Sequence, residues 1–228
     1  MLVSGVVEPC ERLGGDVFDY ALSPGALDLA IFDGTGHDLH AGVIATVALA
    51  AYRSARRDGH GLIGQAQVVH DTLVEEFGVG ALATGVVARL DLATGDLRYV
   101  SAGHPYPVVL RSGRPVRTLC GGRRTLLGLD APLSVVVAHE RLEPEDLLVL
   151  YTDGMTDARD PGGHPLGLDG LTELLSREMT ATTPLPEVAR RTARAVADRS
   201  GGELGDDATL LLAHWTRRGQ ANVDTGGR

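Results

Sequence analysis

The sequence predicts an α+β fold in which two mostly antiparallel sheets are stacked and helices accompany them. Two observations support this prediction. Apolar residues recur at helical spacing in four segments, and the remaining apolar runs are short, strand-like and separated by turns that often contain glycine. These runs are too many for one flat sheet, which favours two stacked sheets. Because the chain has 228 residues, of which 43% are hydrophobic, it can form one domain with a sizeable core.

The N-terminal part of the chain is predicted to contain three strands and two helices. The strands are expected at residues 2–8, 17–22 and 27–34. Apolar residues at helical spacing predict a helix from Leu39 to about Arg57, and arginines in its last turn suit the negative end of the helix dipole. A second helix is expected over residues 62–77 because Gly78 can stop it there.

The rest of the chain is predicted to be richer in strands. Glycine-containing turns predict two hairpins, one joining strands 83–90 and 96–102 and one joining strands 107–110 and 115–119. Further strands are expected at 134–139, 147–152 and 207–214, and further helices at 168–177 and 186–199. One domain is expected over residues 1–215, and the polar tail 216–228 is expected to be disordered.

Composition excludes several classes of function. The formal net charge of −9 argues against a nucleic-acid-binding protein, which normally has a basic face. All 21 basic residues are arginine, so neither a P-loop lysine nor a Schiff-base lysine is present. No signal-peptide pattern is seen, and no run approaches the ~20 apolar residues of a membrane span. We therefore expect a soluble cytoplasmic protein that binds neither nucleic acid nor membrane, with Cys10 and Cys120 reduced.

Aspartates stand at the ends of three apolar runs. Asp33 follows the run that begins at Leu27, Asp153 follows the run that begins at Leu147, and Asp206 directly precedes the last strand. If that last strand is antiparallel to the other two, all three carboxylates fall on one edge of the sheet. Such like charges repel, so a cation is expected among them. Asp16, beside two glycines, is a fourth candidate, although an aspartate next to glycine can also be a simple turn residue.

These acids indicate a site for hard cations. No cluster of cysteine or histidine stands beside them in the sequence, and ligand sets made only of oxygen suit Mg²⁺ or Mn²⁺ rather than zinc. The Gly34 carbonyl could add a further oxygen. Two such ions roughly 3.5–4 Å apart would lower the pKa of a water between them and bind the oxygens of a phosphoryl group, which is the chemistry of phosphoester hydrolysis.

Two other routes to phosphoester hydrolysis do not fit the sequence. A cysteine-based phosphatase needs an arginine six residues after the thiol, and those positions are Asp16 after Cys10 and Leu126 after Cys120. An aspartyl-phosphate hydrolase would need an aspartate nucleophile at the position of Ile31. Both classes therefore lack an essential group.

Five segments, in order along the chain, resemble the successive motifs of the SpoIIE/RsbU branch of the PPM metal-dependent serine/threonine protein phosphatases. Each motif is weak alone, but together they are specific, and the resemblance covers residues 6–214. The segments are Leu13-Gly14-Gly15-Asp16-Val17-Phe18-Asp19, Phe32-Asp33-Gly34-Thr35-Gly36-His37, Tyr99-Val100-Ser101-Ala102-Gly103-His104-Pro105, residues 150–159 around Thr152-Asp153-Gly154, and Gly205-Asp206-Asp207-Ala208-Thr209.

The resemblance implies an αββα sandwich with a dinuclear Mn²⁺ or Mg²⁺ centre between the sheets, which hydrolyses phosphoserine or phosphothreonine with metal-activated water. By motif matching, Asp33 and the Gly34 carbonyl would contact both ions. Asp153 and Asp206 would hold one ion, and Asp16 would hold the other. Asp33 and Asp153 would thus serve catalysis through the activated water. Whether a third ion binds is left open.

The resemblance also suggests a substrate and leaves some roles open. The typical substrate in this branch is a phosphorylated anti-anti-sigma factor, and a homodimer is one arrangement of such domains. The wider family has a proposed general acid two residues after the second-motif aspartate, where this chain has Thr35, so His37 is the nearest candidate for that role. Arg12 is the nearest candidate for binding the substrate phosphate, and His104 is expected to be a structural turn residue.

Two alternative functions stay open at the level of the sequence. One is a catalytically inactive scaffold of the same fold that only binds partners, although all the expected acids are present. The other is a metal-dependent hydrolase of a small phosphoester.

Overall fold

Two five-stranded antiparallel sheets form the centre of the computed structural model, which describes residues 1–10, 14–36, 38–78, 80–122, 125–180 and 182–216. The strands are β1 (Leu2–Glu8), β2 (Asp16–Ser23), β3 (Ala26–Gly34), β4 (Ala83–Asp91), β5 (Asp96–Ala102), β6 (Val108–Arg111), β7 (Arg114–Thr118), β8 (Ala138–Arg141), β9 (Asp146–Tyr151) and β10 (Ala208–His214). The helices are α1 (Leu39–Arg57), α2 (Leu62–Phe77), α3 (Gly154–Asp157), α4 (Gly167–Glu178) and α5 (Leu185–Arg199).

The strand orders place β2 and β3 in a different sheet from β9 and β10. The first sheet has the order β1-β10-β9-β6-β7, and the second sheet has the order β2-β3-β4-β5-β8. β1 pairs with β10, so the two ends of the described chain meet in the first sheet, while β2 crosses to the second sheet. The candidate acids on β2 and β3 consequently lie on a different sheet from those beside β9 and β10.

The helices and sheets form four layers, and an apolar cluster fills each of the three spaces between them. Between the two sheets, Leu29 and Ile31 of β3 pack in the same cluster as Leu148 and Leu150 of β9. The alternate residues of β3, such as Phe32, face α1 and α2. The alternate residues of β9 and β10 pack in the same way against α4 and α5. This four-layer arrangement explains why the central strands are continuous apolar runs: both of their faces are buried.

The local sequence explains the helix that lies nearest to the acids. The Asp38 side chain caps α1 by accepting the Ala41 N–H at 3.0 Å, and Arg56 and Arg57 stand in its last turn as expected. The first turn of α1 packs closely on the end of β3. A Cβ at Gly34 would lie 2.6 Å from the Ala41 carbonyl oxygen, so only glycine allows this approach.

One predicted strand is wrong in its position. Residues 134–137 do not pair, and β8 starts only at Ala138, opposite Tyr99. Beyond that point the edge of β5 is covered by another loop, because a Cβ at Gly122 would lie 3.3 Å from the backbone of Ser101. Leu133, Val135 and Val137 still pack their apolar side chains against the core beside α1 and α2, which accounts for the strand-like alternation of this segment.

Other expectations have mixed outcomes. Neither Cys10 nor Cys120 forms a disulfide within the described residues. In the part of the chain that the structure describes, no helix combines the length and apolar character needed to cross a bilayer. Residues 217–228 of the tail lie outside the described residues, so the domain boundary at 215 and the disordered tail stay predictions, as does a cytoplasmic location.

Candidate metal centre

The predicted aspartates lie at the corresponding ends of the two stacked sheets. Asp16 opens β2 and Asp33 is the penultimate residue of β3, and the two are directly opposite each other in the β2–β3 pair. Asp153 lies two residues after the end of β9, and Asp206 lies two residues before the start of β10. Because β9 and β10 are antiparallel neighbours, the end of one strand and the start of the other lie at the same end of the first sheet.

This geometry corrects the expectation that three acids share one edge of one sheet. β9 and β10 do pair antiparallel, but β3 belongs to the second sheet. The acids meet because the sheets are stacked, so each sheet contributes one pair. A hydrogen bond joins the two sheets at this point: the hydroxyl of Thr152, which directly follows β9, donates to the Asp16 carboxylate of β2 at 2.7 Å.

The acids are close enough to disturb each other's ionisation. Burial is the largest cause that raises the pKa of Asp33, to about 7, and repulsion from Asp153 and then Asp206 adds to it. Burial likewise raises the pKa of Asp16 to about 8, opposed by the Thr152 hydrogen bond and reinforced by Asp33. Burial and then Asp206 raise the pKa of Asp153. The four carboxylates therefore form one coupled group.

The donor set suits a divalent cation. None of the four coupled aspartates forms an ion pair with an arginine of the described residues, so the negative charge of the group is not balanced by the protein there. Asp16 is 6% exposed, whereas Asp206 is exposed and Asp153 reaches solvent with part of its surface, so the group runs from the interior to solvent. Carboxylate oxygens arranged in this way fit Mn²⁺ or Mg²⁺.

The Gly34 carbonyl, the predicted backbone ligand, stands beside this group. A Cβ at Gly15 would lie 2.8 Å from the Gly34 carbonyl oxygen, so Gly15 leaves the space in front of that oxygen clear of a side chain. The Gly34 N–H donates to the Gly15 carbonyl at 2.9 Å, which fixes the two backbones against each other. The sequence signal for this close approach is the glycine that neighbours each aspartate.

Asp207 has a different role from Asp206. Asp207 is 2% exposed, and its carboxylate accepts the Gly15 N–H at 2.5 Å and the Cys10 N–H at 2.8 Å. It therefore ties the segment between β1 and β2 to the start of β10. Asp206 is exposed and accepts the Asp207 N–H at 2.8 Å with one carboxylate oxygen, which leaves the other oxygen for a cation.

A cysteine also lies near the acids, which the sequence did not indicate. Ligand atoms of Cys10, Asp206 and Asp207 lie within 4.8 Å of one another. A single thiol thus lies in space beside Asp206, although no cluster of cysteine or histidine stands beside the acids in the sequence. The signal was not available in the sequence because almost the whole chain separates Cys10 from Asp206.

Thr152 is a site residue that the sequence analysis did not single out. Besides donating to Asp16, its hydroxyl oxygen accepts the Thr209 N–H at 2.9 Å, and the side chain is fully buried. A polar residue between the apolar run of β9 and Asp153 is the signal that could have identified it. Two candidate residues, His37 and Arg12, lie outside the described residues, so their roles stay predictions.

We expect Thr152→Val to destabilise the protein by about 2 kcal/mol, because the isosteric valine leaves the buried Thr209 N–H without the Thr152 acceptor and removes one hydrogen-bond donor from Asp16. Urea unfolding without added metal would measure this change, and Thr152→Ser, which keeps the hydroxyl, serves as the matched control. Equal stabilities of the valine variant and the wild type would contradict the role assigned to this hydroxyl.

A cavity of about 450 Å³ opens beside the exposed side of the group. Its lining includes Asp206 and Gly154 of the site, and also Asp157, Arg159 and Glu203. The Arg159 guanidinium donates to the Gly163 carbonyl at 2.8 Å, which holds the loop after α3 next to this cavity. The Asp206 side of the group is therefore open to solvent.

Comparisons with known proteins agree with this arrangement. The family model described as Stage II sporulation protein E (SpoIIE) matches residues 23–216. Protein IcfG of Synechocystis sp. is 22% identical over 240 residues, which cover 93% of this chain and 37% of that protein. Phosphoserine phosphatase RsbU of Bacillus subtilis is 22% identical over 213 residues, which cover 92% of this chain and 62% of that protein. This chain thus spans less than two thirds of either relative.

Solved structures share the fold. The RsbU and RsbW domains of Rv1364c from Mycobacterium tuberculosis match with a TM-score of 0.81 and 23% identity, over 94% of this chain and 61% of that chain. The SiaA-PP2C domain of Pseudomonas aeruginosa matches with a TM-score of 0.80 and 20% identity, over 93% and 85%. The PP2C phosphatase domain of SpoIIE from Bacillus subtilis matches with a TM-score of 0.76 and 16% identity, over 94% and 61%. The αββα sandwich that the resemblance implied is confirmed.

Proposed function

The chain belongs to the SpoIIE family, within the SpoIIE/RsbU type of PPM serine/threonine phosphatases, and from this premise we propose that it hydrolyses phosphoserine or phosphothreonine in a protein with the help of two Mn²⁺ or Mg²⁺ ions. The observation that carries the proposal is the group of four aspartates that both sheets contribute. The mutual repulsion of these carboxylates would be relieved by divalent cations.

Each residue of the group has a proposed task. Asp33 and the Gly34 carbonyl would contact both ions, Asp153 and Asp206 would hold one, and Asp16 would hold the other. Two bound cations supply a water of lowered pKa and offset the charge of the phosphoryl oxygens. The protein contributes the fixed positions of the oxygens: Thr152 holds Asp16 by its hydrogen bond, and the paired strands hold Asp16 opposite Asp33.

We further propose that the substrate is a phosphorylated regulator of the anti-anti-sigma-factor type. The matched protein RsbU is named a phosphoserine phosphatase, and the matched structure of Rv1364c contains an RsbW domain beside its RsbU domain. The cavity next to Asp206 and Arg159 is compatible with this proposal, because it opens the Asp206 side of the group to solvent.

The test is hydrolysis by the purified chain of p-nitrophenyl phosphate and of a phosphoserine-containing protein of this type, in Mn²⁺, in Mg²⁺ and in EDTA. We expect turnover of both substrates with metal and loss of turnover in EDTA. Calorimetric titration with Mn²⁺ accompanies the assay. Absence of both metal binding and turnover would favour the inactive scaffold, and turnover of small phosphoesters alone would favour a small-molecule hydrolase.

A further inference from the structure

A buried chain of polar side chains extends from Asp33 into the protein. Asp33 of β3 lies directly opposite Thr84 of β4, near enough for the Thr84 side chain to lower the pKa of Asp33 as a hydrogen-bond donor. On its other side the Thr84 oxygen lies 2.8 Å from Nδ1 of His104. His104 is 5% exposed and follows the end of β5. The sequence predicts that His104 is a structural turn residue, and in the structure its ring also contacts Thr84, the residue opposite Asp33.

The hydrogen bonds of this chain have one consistent direction. A carboxylate can only accept, so the single proton of the Thr84 hydroxyl points to Asp33. The Thr84 oxygen must then accept from His104, which places the ring proton on Nδ1. Nε2 of His104 is buried and has no hydrogen-bond partner of good geometry among the described residues. Burial lowers the pKa of His104 to about 3 and outweighs a hydrogen bond with the Tyr151 backbone that acts in the opposite direction, so the ring is neutral.

The backbone around His104 is built for this contact. Gly103 has a φ of +65°, and a Cβ at that position would lie 2.5 Å from Cδ2 of Leu126. Gly103 also bridges to Gly85, the neighbour of Thr84. Glycine makes this turn without strain, and the turn brings the His104 ring to Thr84.

We propose that His104 is a positioning residue that acts through Thr84 to orient the Asp33 carboxylate toward the cations. This inference rests on the proposed function, since it assigns the two residues to the same metal centre. A donor that fixes one carboxylate oxygen leaves the other oxygen and the remaining lone pairs aimed at the site. Groups that support a metal ligand in this way typically change metal affinity or activity by 10–100-fold when they are removed.

The decisive measurement is the dissociation constant for Mn²⁺, obtained by calorimetry, with kcat for p-nitrophenyl phosphate as a second readout. We expect Thr84→Val, which removes the hydroxyl at constant size, to raise that constant by about 10–100-fold. His104→Leu should have the same effect, and the double variant should be no weaker than either single variant, because one hydrogen-bonded chain is broken in each case.

Rescue by a conservative variant separates positioning from packing. The side-chain amide of His104→Asn can occupy the place of Nδ1–H and donate to Thr84, so we expect Mn²⁺ binding within about threefold of the wild type. Thr192→Val is the matched control: Thr192 is also fully buried, with an unpartnered hydroxyl, but it lies on α5. Its Mn²⁺ affinity should equal that of the wild type.

The outcomes distinguish this inference from the proposed function. A wild type that binds Mn²⁺, together with Thr84→Val and His104→Leu variants of unchanged affinity, overturns the inference alone. A wild type that neither binds Mn²⁺ nor hydrolyses phosphoesters overturns both. If His104→Leu does not fold, the isosteric Thr84→Val decides the question by itself.

Discussion

Asp33→Asn is expected to lower kcat/KM for p-nitrophenyl phosphate by about 10³-fold or more at saturating Mn²⁺. Asp33 is the residue proposed to contact both ions, and it is coupled to acids on the opposite sheet. Loss of one preorganised electrostatic contact to a transition state typically costs about 10²–10³-fold, and a residue shared by two cations should cost at least as much. Steady-state assays with Mn²⁺ titrated to saturation would measure the loss.

The asparagine variant should fold normally, which makes the result interpretable. Asparagine has nearly the size of aspartate and keeps an oxygen that can accept the Thr84 hydrogen bond. Removing one of several repelling charges should even raise the stability of the metal-free protein. Asp169→Asn, which removes an exposed charge on α4 at a distance from the group in sequence and fold, is the control and should retain full activity. Unimpaired hydrolysis by Asp33→Asn would sink the proposed metal centre.

The ionisation of Asp16 and Asp33 is expected to destabilise the metal-free protein as the pH rises, by about 6 kcal/mol between pH 5 and pH 8.5. In the folded state the pKa of Asp16 is raised from 3.8 to about 8, and the pKa of Asp33 is raised to about 7. Between the ordinary value and these raised values the folded state binds more protons than the unfolded state. The free energy of unfolding therefore falls with increasing pH across this window, and the stabilising contribution is complete only below about pH 4.

The Asp16→Asn variant isolates this effect. Urea unfolding in EDTA at several pH values should give a shallower loss of stability for the variant than for the wild type, because all other titrating groups are common to both proteins. Added Mn²⁺ should reverse the loss in the wild type at pH 8.5, since a cation favours the ionised carboxylates. Identical pH profiles for the two proteins would show that Asp16 does not titrate in the expected range.

Most secondary structure could be predicted from the sequence because both faces of the central strands and one face of each long helix are apolar. The runs before Asp33 and Asp153 are β3 and β9, and the helix expected from Leu39 to Arg57 has these bounds in the structure. The segment 134–139 failed because its alternating apolar residues reflect packing on the core, whereas pairing depends on whether the neighbouring strand edge is free. The short helix α3 was not predicted, since four residues carry no periodic signal.

The sequence alone identified the aspartates, the glycines beside them and the order of the motifs, because these depend on residues that are neighbours along the chain. Tertiary structure decided how the acids are shared between two stacked sheets. It also decided that Asp207, and not Asp206, is buried and accepts the Gly15 N–H. Finally, it placed Cys10, Thr152 and His104 in the surroundings of the site. The reason is physical: a hydrogen bond or a repulsion depends on distance in space, and only the packing of the sheets brings these residues within a few ångströms of each other.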